Sequence, residues 1–414
     1  MVLFRLFLLF ASATFWCVDV PLARETTYQW VQLAPDNKIA VRLITSSPKC
    51  PSLNVDGRSV DMTRRVGPSE DFPEHVCELL LPQTTGNITL DGRPLPPLPA
   101  QVQRIAVIGD TGCRIRRAIA QSCNDPDAWP LRKIMAAVAA QKPDLVIHVG
   151  DYVYRSMPCP PPADCEGTSY GDRFQTWVED WIDPAQQALS GAPVVFVRGN
   201  HENCGRGGKG WFRYFANGAF PAECPALTEP WKASVGGLDL IVFDASDGRA
   251  PESARAHFRK YRNMAEAMFA RLSQQTWFLT HRPLWVDLVA FGNPIDGDDT
   301  QREAFAAMIP DEIKLIASGH IHAFQAIDLE NGPVQVISGN SGTWLDPMPN
   351  GRLENIEIAG SRARTVINDH GFGFVLMSRQ EGGGWQMDAM DENGKPRRRC
   401  RLQDRALDCD TQAR

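Results

Sequence analysis

The chain contains no CxxC pair, no internal repeat and no low-complexity tract. Without closely spaced thiols, a thiolate zinc site of the usual spacing is excluded. No apolar run beyond the first 24 residues is long enough for a transmembrane helix, which needs about 20 consecutive apolar residues. There is no basic excess either: 43 Lys and Arg stand against 49 Asp and Glu, for a net charge of -6. A nucleic-acid-coating surface needs the opposite balance. With 22% charged and 43% hydrophobic residues over 414 positions, disorder, collagen, coiled coil and a multi-pass membrane protein are excluded. That length predicts two or three domains, or one large domain with a small one. Glycine and proline are abundant, with 33 and 31 copies, which predicts many loops and tight turns.

Residues 1–24 read as a signal peptide or an uncleaved signal anchor. Arg5 precedes an apolar stretch, Leu6 to Val18, of the size of a secretory h-region. A buried N-terminal strand or helix is the ordinary alternative. Eleven cysteines are present, and Cys17 falls inside this leader, leaving ten. An even count in an exported chain points to disulfides. Their order suggests local pairs: Cys50 with Cys77, Cys113 with Cys123, Cys159 with Cys165, Cys204 with Cys224, and Cys400 with Cys409. Buried free thiols are the alternative, and spacing alone does not fix connectivity. The expected location is periplasmic, secreted or extracellular.

Residues 25–94 alternate apolar and polar positions between turn signals, as in Tyr28, Trp30, Leu33 and then Ile39, Val41, Leu43. This predicts a small all-β domain. A Pro-rich linker over 95–103 follows. From 104 to 392 the pattern becomes strand, helix, strand, helix, strand and then mostly strands, which predicts a layered α/β domain. The last stretch, 393–414, is basic and reads as a solvated tail stapled by Cys400 and Cys409.

Five polar clusters each follow an apolar strand directly. They are GDTG (109–112), GDYVY (150–154), GNHE (199–202), THRP (280–283) and GHIH (319–322). In open α/β sheets, reacting groups gather at the carboxyl ends of strands. One such Asp alone is a turn or cap residue; five in series is a site. The candidate ligands are Asp110, Asp151, Tyr154, Asn200, His281, His320 and His322. Oxygen and imidazole donors without thiolate suit Fe, Mn, Zn or Co. Seven donors exceed one open catalytic metal, whereas a shared carboxylate gives two metals four donors each. His320 and His322 would face opposite sides of a regular strand, so the loop curls there or the two serve different metals.

The ordered set of motifs over about 104–345 resembles the calcineurin-like metallophosphoesterases, and its GDxxY pattern at Tyr154 resembles the purple acid phosphatase branch. The resemblance implies an α/β fold, a layered αββα sandwich. The β-rich start is similar to the fibronectin-like N-terminal domain of plant-type members, so a small β-sandwich-like domain is expected there. It also implies two metal ions. Fe(III) would take Asp110, Asp151, Tyr154 and His322; a divalent Fe, Zn or Mn would take Asp151, Asn200, His281 and His320. His201 matches the family's phosphate-binding or proton-donating histidine. Glu202 is expected to orient His201 or a neighbouring group, and Arg282 to contact phosphate or pair on the surface. The implied activity is hydrolysis of phosphomonoesters by a metal-bound hydroxide, best at acidic pH. A phosphodiesterase acting on nucleotides or lipid head groups is the enzyme alternative, and a non-catalytic metal- or phosphate-binding module the alternative of another class. The partner is a phosphate-ester substrate. The rim is expected from 156–170, 205–210 and 291–300, and no oligomeric state follows from the sequence.

Overall fold

The computed structural model describes residues 27–410, except 117–118, 248–250, 271, 274, 291–292 and 296. The expected leader, with Cys17, lies outside the described residues.

Short apolar runs flanked by polar turns build two large sheets. The first contains β1 (Tyr28–Ala34), β2 (Lys38–Thr45), β3 (Thr63–Val66), β4 (His75–Pro82), β5 (Arg104–Ile108), β6 (Leu145–His148) and β7 (Val194–Phe196). The second contains β8 (Trp231–Val235), β9 (Leu238–Phe243), β10 (Thr276–Thr280), β11 (Ile313–Ser318), β12 (Phe324–Leu329), β13 (Val334–Ser338), β14 (Gly351–Ile358) and β15 (Ser361–Asp369). The chain then returns to the first sheet with β16 (Gly373–Arg379), β17 (Trp385–Asp391), β18 (Pro396–Gln403) and β19 (Ala406–Cys409). The eleven strands of the first sheet run β19-β18-β17-β16-β5-β6-β7-β1-β2-β4-β3, and the eight of the second run β8-β9-β10-β11-β13-β12-β15-β14.

The central strands are buried on both faces, which is why they read as continuous apolar runs. On β5, Ile105 and Val107 face the second sheet, where they share a core with Leu240, Trp277 and Leu315. Ala106 and Ile108 face outward, against Leu131, Ile134 and Met135 of the helix Leu131–Ala140. Trp177, Trp181 and Ala185 of the helical stretch 174–189 cover the same face. On the far side, Ile241, Phe243 and Phe278 pack against Tyr261 and Met264 of the helix Pro251–Phe269 and Phe305 of the helix Asp299–Phe305. The layers are therefore helix, sheet, sheet, helix. No helix among the described residues is long and apolar enough to cross a membrane.

The expected divisions near residues 94 and 392 are not breaks in the sheet. β1 pairs in parallel with β7 through Gln32 and Val194, so β1–β4 extend the sheet that carries β5–β7. Val31 and Leu33 lie in the inter-sheet core, and Trp30 lies in the outer one. Both faces of β1 and β2 are buried. Residues 52–61 and 88–94 add a separate four-stranded sheet. In the expected linker, Leu95 and Val102 are buried. The basic C-terminal run forms β18, where Arg397 and Arg398 pair with Asp369 and Arg399 pairs with Asp388. It is a paired strand, not a solvated tail. All ten described cysteines form the five expected disulfides.

Arg42 joins the N-terminal strands to the rest. It is fully buried, and its guanidinium donates to Glu78 at 2.6 Å, Tyr214 O at 2.7 Å and Ala216 O at 2.9 Å. Burial pushes its pKa down to about 9. Replacing one member of a buried, hydrogen-bonded pair leaves the others unsatisfied and costs about 3–5 kcal/mol. Arg42→Met is therefore expected to lower the free energy of unfolding measured by urea titration by that amount, and with it the midpoint. An unchanged midpoint would contradict the joint.

Candidate metal centre

The five polar clusters leave the carboxyl ends of β5, β6, β7, β10 and β11, which lie side by side at the centres of the two sheets. Each chain must turn sharply there. Asp110, Asp151 and His320 adopt left-handed backbone with φ of 55°, 60° and 71°. Such conformations cost energy in non-glycine residues and persist where surrounding contacts enforce them. Gly199 is required by proximity: a Cβ there would lie 2.1 Å from Asp151 Oδ1.

All seven candidate ligands come together, in two groups that meet at Asp151. In one, Tyr154 Oη donates to Asp110 Oδ1 at 2.6 Å or Asp151 Oδ2 at 2.8 Å, and lies 3.1 Å from His322 Nε2. In the other, Asp151, His281 and His320 place one donor atom each within 4.8 Å of one another. His281 Nε2 lies 3.3 Å from Asp151 Oδ2 and 3.2 Å from Asn200 Oδ1. The GHIH segment curls at His320, and its two histidines go to different groups.

The histidines are held from behind. His281 Nδ1 sits 2.9 Å from Val149 O and His322 Nδ1 sits 2.8 Å from Trp344 O. A carbonyl accepts only from N–H, so both rings carry a proton on Nδ1 and turn Nε2 inward. Burial, and then Asp151, push the Asp110 carboxyl well above its ordinary pKa. Burial opposes ionisation of Asp151 too, but His281 and His201 outweigh it and hold that carboxyl well below the ordinary range. Two facing buried carboxyl groups, a phenol and inward imidazole nitrogens form a donor set suited to cations. The residues fit a two-metal centre.

His201 lies between two groups. Its ring centroid is 3.7 Å from that of Tyr154, and Arg206 Nη2 is 2.8 Å from its Nε2. Its Nδ1 is 2.9 Å from Val153 O, and its Nε2 is 3.9 Å from Asp151 Oδ2. Burial pushes its pKa down to about 3.

Glu202 does not orient the His201 ring. Its buried carboxylate accepts backbone N–H bonds from Asp151 at 3.0 Å, Tyr152 at 2.9 Å and Gly199 at 3.1 Å. It fixes the loop that carries Asp151. Burial and Asp151 push its pKa up to about 8. Arg282 is not a surface pair: it is buried, with Asp298 at 3.9 Å. Among the described residues, no recorded contact joins it to the ligands.

Three supporting residues escaped the sequence reading. Asp180 accepts from Tyr154 N at 3.1 Å and Cys113 N at 3.3 Å and pairs with Arg155 at 2.6 Å, tying the first two loops together. Asp346 accepts from His322 N at 2.9 Å. Arg206 stands in the glycine-rich stretch 205–210, and its position four residues past the GNHE cluster was the available signal. His148 is buried against Tyr152 and bonded to Thr111, and its ring does not join the cluster.

A family model of calcineurin-like phosphoesterases matches residues 103–324, more than half of the chain. A purple acid phosphatase, PPD1, from yellow lupin (Lupinus luteus) seeds has a similar structure, with a TM-score of 0.59 at 14% identity over 94% of this chain and 75% of that one. The structure of PhoD is also similar, with a TM-score of 0.57 at 11% identity over 94% of this chain and 92% of that one. No curated protein sequence matches. At such identities the two structures speak to the fold.

Removing the acceptor held by Glu202 frees the Asp151 loop. Loss of such supporting contacts typically costs 10–100-fold in metal affinity. Glu202→Gln is expected to weaken metal retention by about tenfold or more in competition with a chelator, while the folded circular dichroism spectrum persists. Unchanged retention would show that Glu202 does not set the loop.

Proposed function

We propose, from the premise that the chain belongs to the calcineurin-like phosphoesterase family, that it is a two-metal phosphatase that hydrolyses phosphomonoesters outside the cytoplasm. Family membership makes it a phosphoesterase and hydrolase. The observation that supports the two-metal reading is the meeting of two donor groups at one buried carboxylate, Asp151, beside a phenol.

In this reading Asp110, Asp151, Tyr154 and His322 hold one ion, and Asp151, Asn200, His281 and His320 hold the other. Tyr154 is a hard anionic donor, which supports Fe(III) in the first position and a divalent Fe, Zn or Mn in the second. Such a pair supplies charge neutralisation for the phosphoryl group and acidifies the attacking water. The protein's own residues do the rest. Asp151 fixes the spacing of the two positions, because its loop is bonded to Glu202. Tyr154 and the Val153 carbonyl fix the His201 ring beside the cluster, within reach of the phosphoryl group and the leaving oxygen. Val149 and Trp344 set the tautomers that turn ligand nitrogens inward. The cluster is buried, so its electrostatic interactions act at low dielectric.

The five disulfides support an oxidising compartment, periplasmic or extracellular. Cys113–Cys123 and Cys204–Cys224 follow the GDTG and GNHE clusters and anchor the loops behind two of the donors.

The test is a paired rate assay of p-nitrophenyl phosphate and bis-p-nitrophenyl phosphate from acidic to neutral pH, with Asp151→Asn as control. A strong monoester preference at low pH, abolished together with metal content in Asp151→Asn, is the expected result. A diester preference would replace the monoester reading with a phosphodiesterase. An active Asp151→Asn would refute the shared carboxylate.

A further inference from the structure

We infer that Arg206 is an anion clamp that grips the phosphoryl group next to His201 and makes the site select a doubly charged terminal phosphate over a diester. The inference rests on the phosphatase reading and names what that site recognises.

The Arg206 guanidinium is half-buried, and its recorded partners are the two ring nitrogens of His201, at 2.8 and 3.0 Å from Nη2. No carboxylate is recorded in an ion pair with it among the described residues. This is unusual for the arginines near the centre: Arg155 is paired with Glu179 and Asp180, and Arg198 with Asp244. An imidazole lone pair satisfies one N–H and leaves the positive charge without a counter-charge. Arginine's planar fork of donors suits phosphate oxygens in pairs.

Its backbone is fixed where such a grip is needed. Arg206 N donates to Asn203 O at 3.0 Å, and Gly207 N donates to His201 O at 2.8 Å. Cys204, two residues earlier, is bridged to Cys224. Arg206 and His201 together line a cavity of about 210 Å³ with Val153, Ser156 and Asp172. Asp172 forms no ion pair with Arg206 among the described residues; its oxygens accept from Trp177 Nε1 at 2.9 Å and Lys209 N at 2.7 Å. The one strong cation facing this cavity without an acidic partner therefore stands over His201.

A monoester carries three non-bridging oxygens and up to two negative charges. In a diester one of these oxygens is alkylated, so it is uncharged and bulky. A donor fork placed here rewards the first and leaves N–H groups unpaired against the second, which is how a polar site rejects an analogue lacking its partner.

The experiment uses the metal-loaded full chain as wild type, Arg206→Ala and Arg206→Lys. Binding of inorganic phosphate is followed by calorimetry, and KM and kcat are measured for the monoester and the diester. Arg206→Ala is expected to weaken phosphate binding and raise monoester KM by about tenfold or more, with diester kcat/KM changed less than threefold. Arg206→Lys should recover part of the loss, keeping charge but not the fork. Unchanged phosphate affinity in Arg206→Ala, or equal losses for both esters, would overturn the clamp. A wild type that binds phosphate but turns over neither ester would instead remove the phosphatase reading, and the calorimetric comparison would still decide Arg206.

Discussion

The carboxylate of Asp151 stands where the two donor groups meet, and the arrangement of the site follows from where it is held. Oδ1 accepts from His201 N at 2.8 Å; Oδ2 lies 2.8 Å from Tyr154 Oη and 3.3 Å from His281 Nε2. Its backbone sits in left-handed conformation, and the neighbouring turn can pass only because residue 199 is glycine. Asp110 faces it, also fully buried. Ionising both would set two like charges against each other, each at a desolvation cost, which is why burial and Asp151 push the Asp110 carboxyl well above its ordinary pKa. Cations remove both penalties at once. The site thus gathers donors whose full ionisation a pair of metal ions would favour.

The fold supplies that cluster by stacking two sheets whose parallel strands end at the same level. Three loops come from the first sheet and two from the second. The inter-sheet core, with Val107, Ile147, Leu240 and Leu279, fixes the separation between them. Behind the ligands, a second set of contacts converts backbone position into side-chain position. Glu202 holds the β6 loop, Asp180 with Arg155 holds the β5 and β6 loops to each other, and Asp346 holds His322. Disulfides close two of the same loops. A metal pair needs this rigidity, because its donors must converge before any ion neutralises them.

Much of this was legible in the sequence, for a physical reason. Strands buried on both faces must be apolar throughout, and a polar triplet directly after such a run has no role in packing. The five clusters therefore stood out, and with them all seven candidate ligands. The cysteines paired as their order suggested because each bridge closes a local loop. Other features left no periodic trace. The alternation of residues 28–45 does not show which strand lies beside β1, and the parallel partner, Val194, is more than 160 residues from Gln32. Glu202 acts on backbone N–H groups, which carry no sequence signal. Arg206 is a single arginine among glycines, and Arg282 was named for its place after a ligand, although the turn at Pro283 and Asp298 takes it into the interior.

The most direct test of a paired centre joined at Asp151 is crystallographic. Crystals of the protein reconstituted with an anomalously scattering divalent ion would be measured at its absorption edge. Two anomalous peaks about 3.5–4 Å apart, with the Asp151 carboxylate between them and Tyr154 beside one, are the predicted result. A single peak, or two peaks of which one does not touch Asp151, would contradict the account.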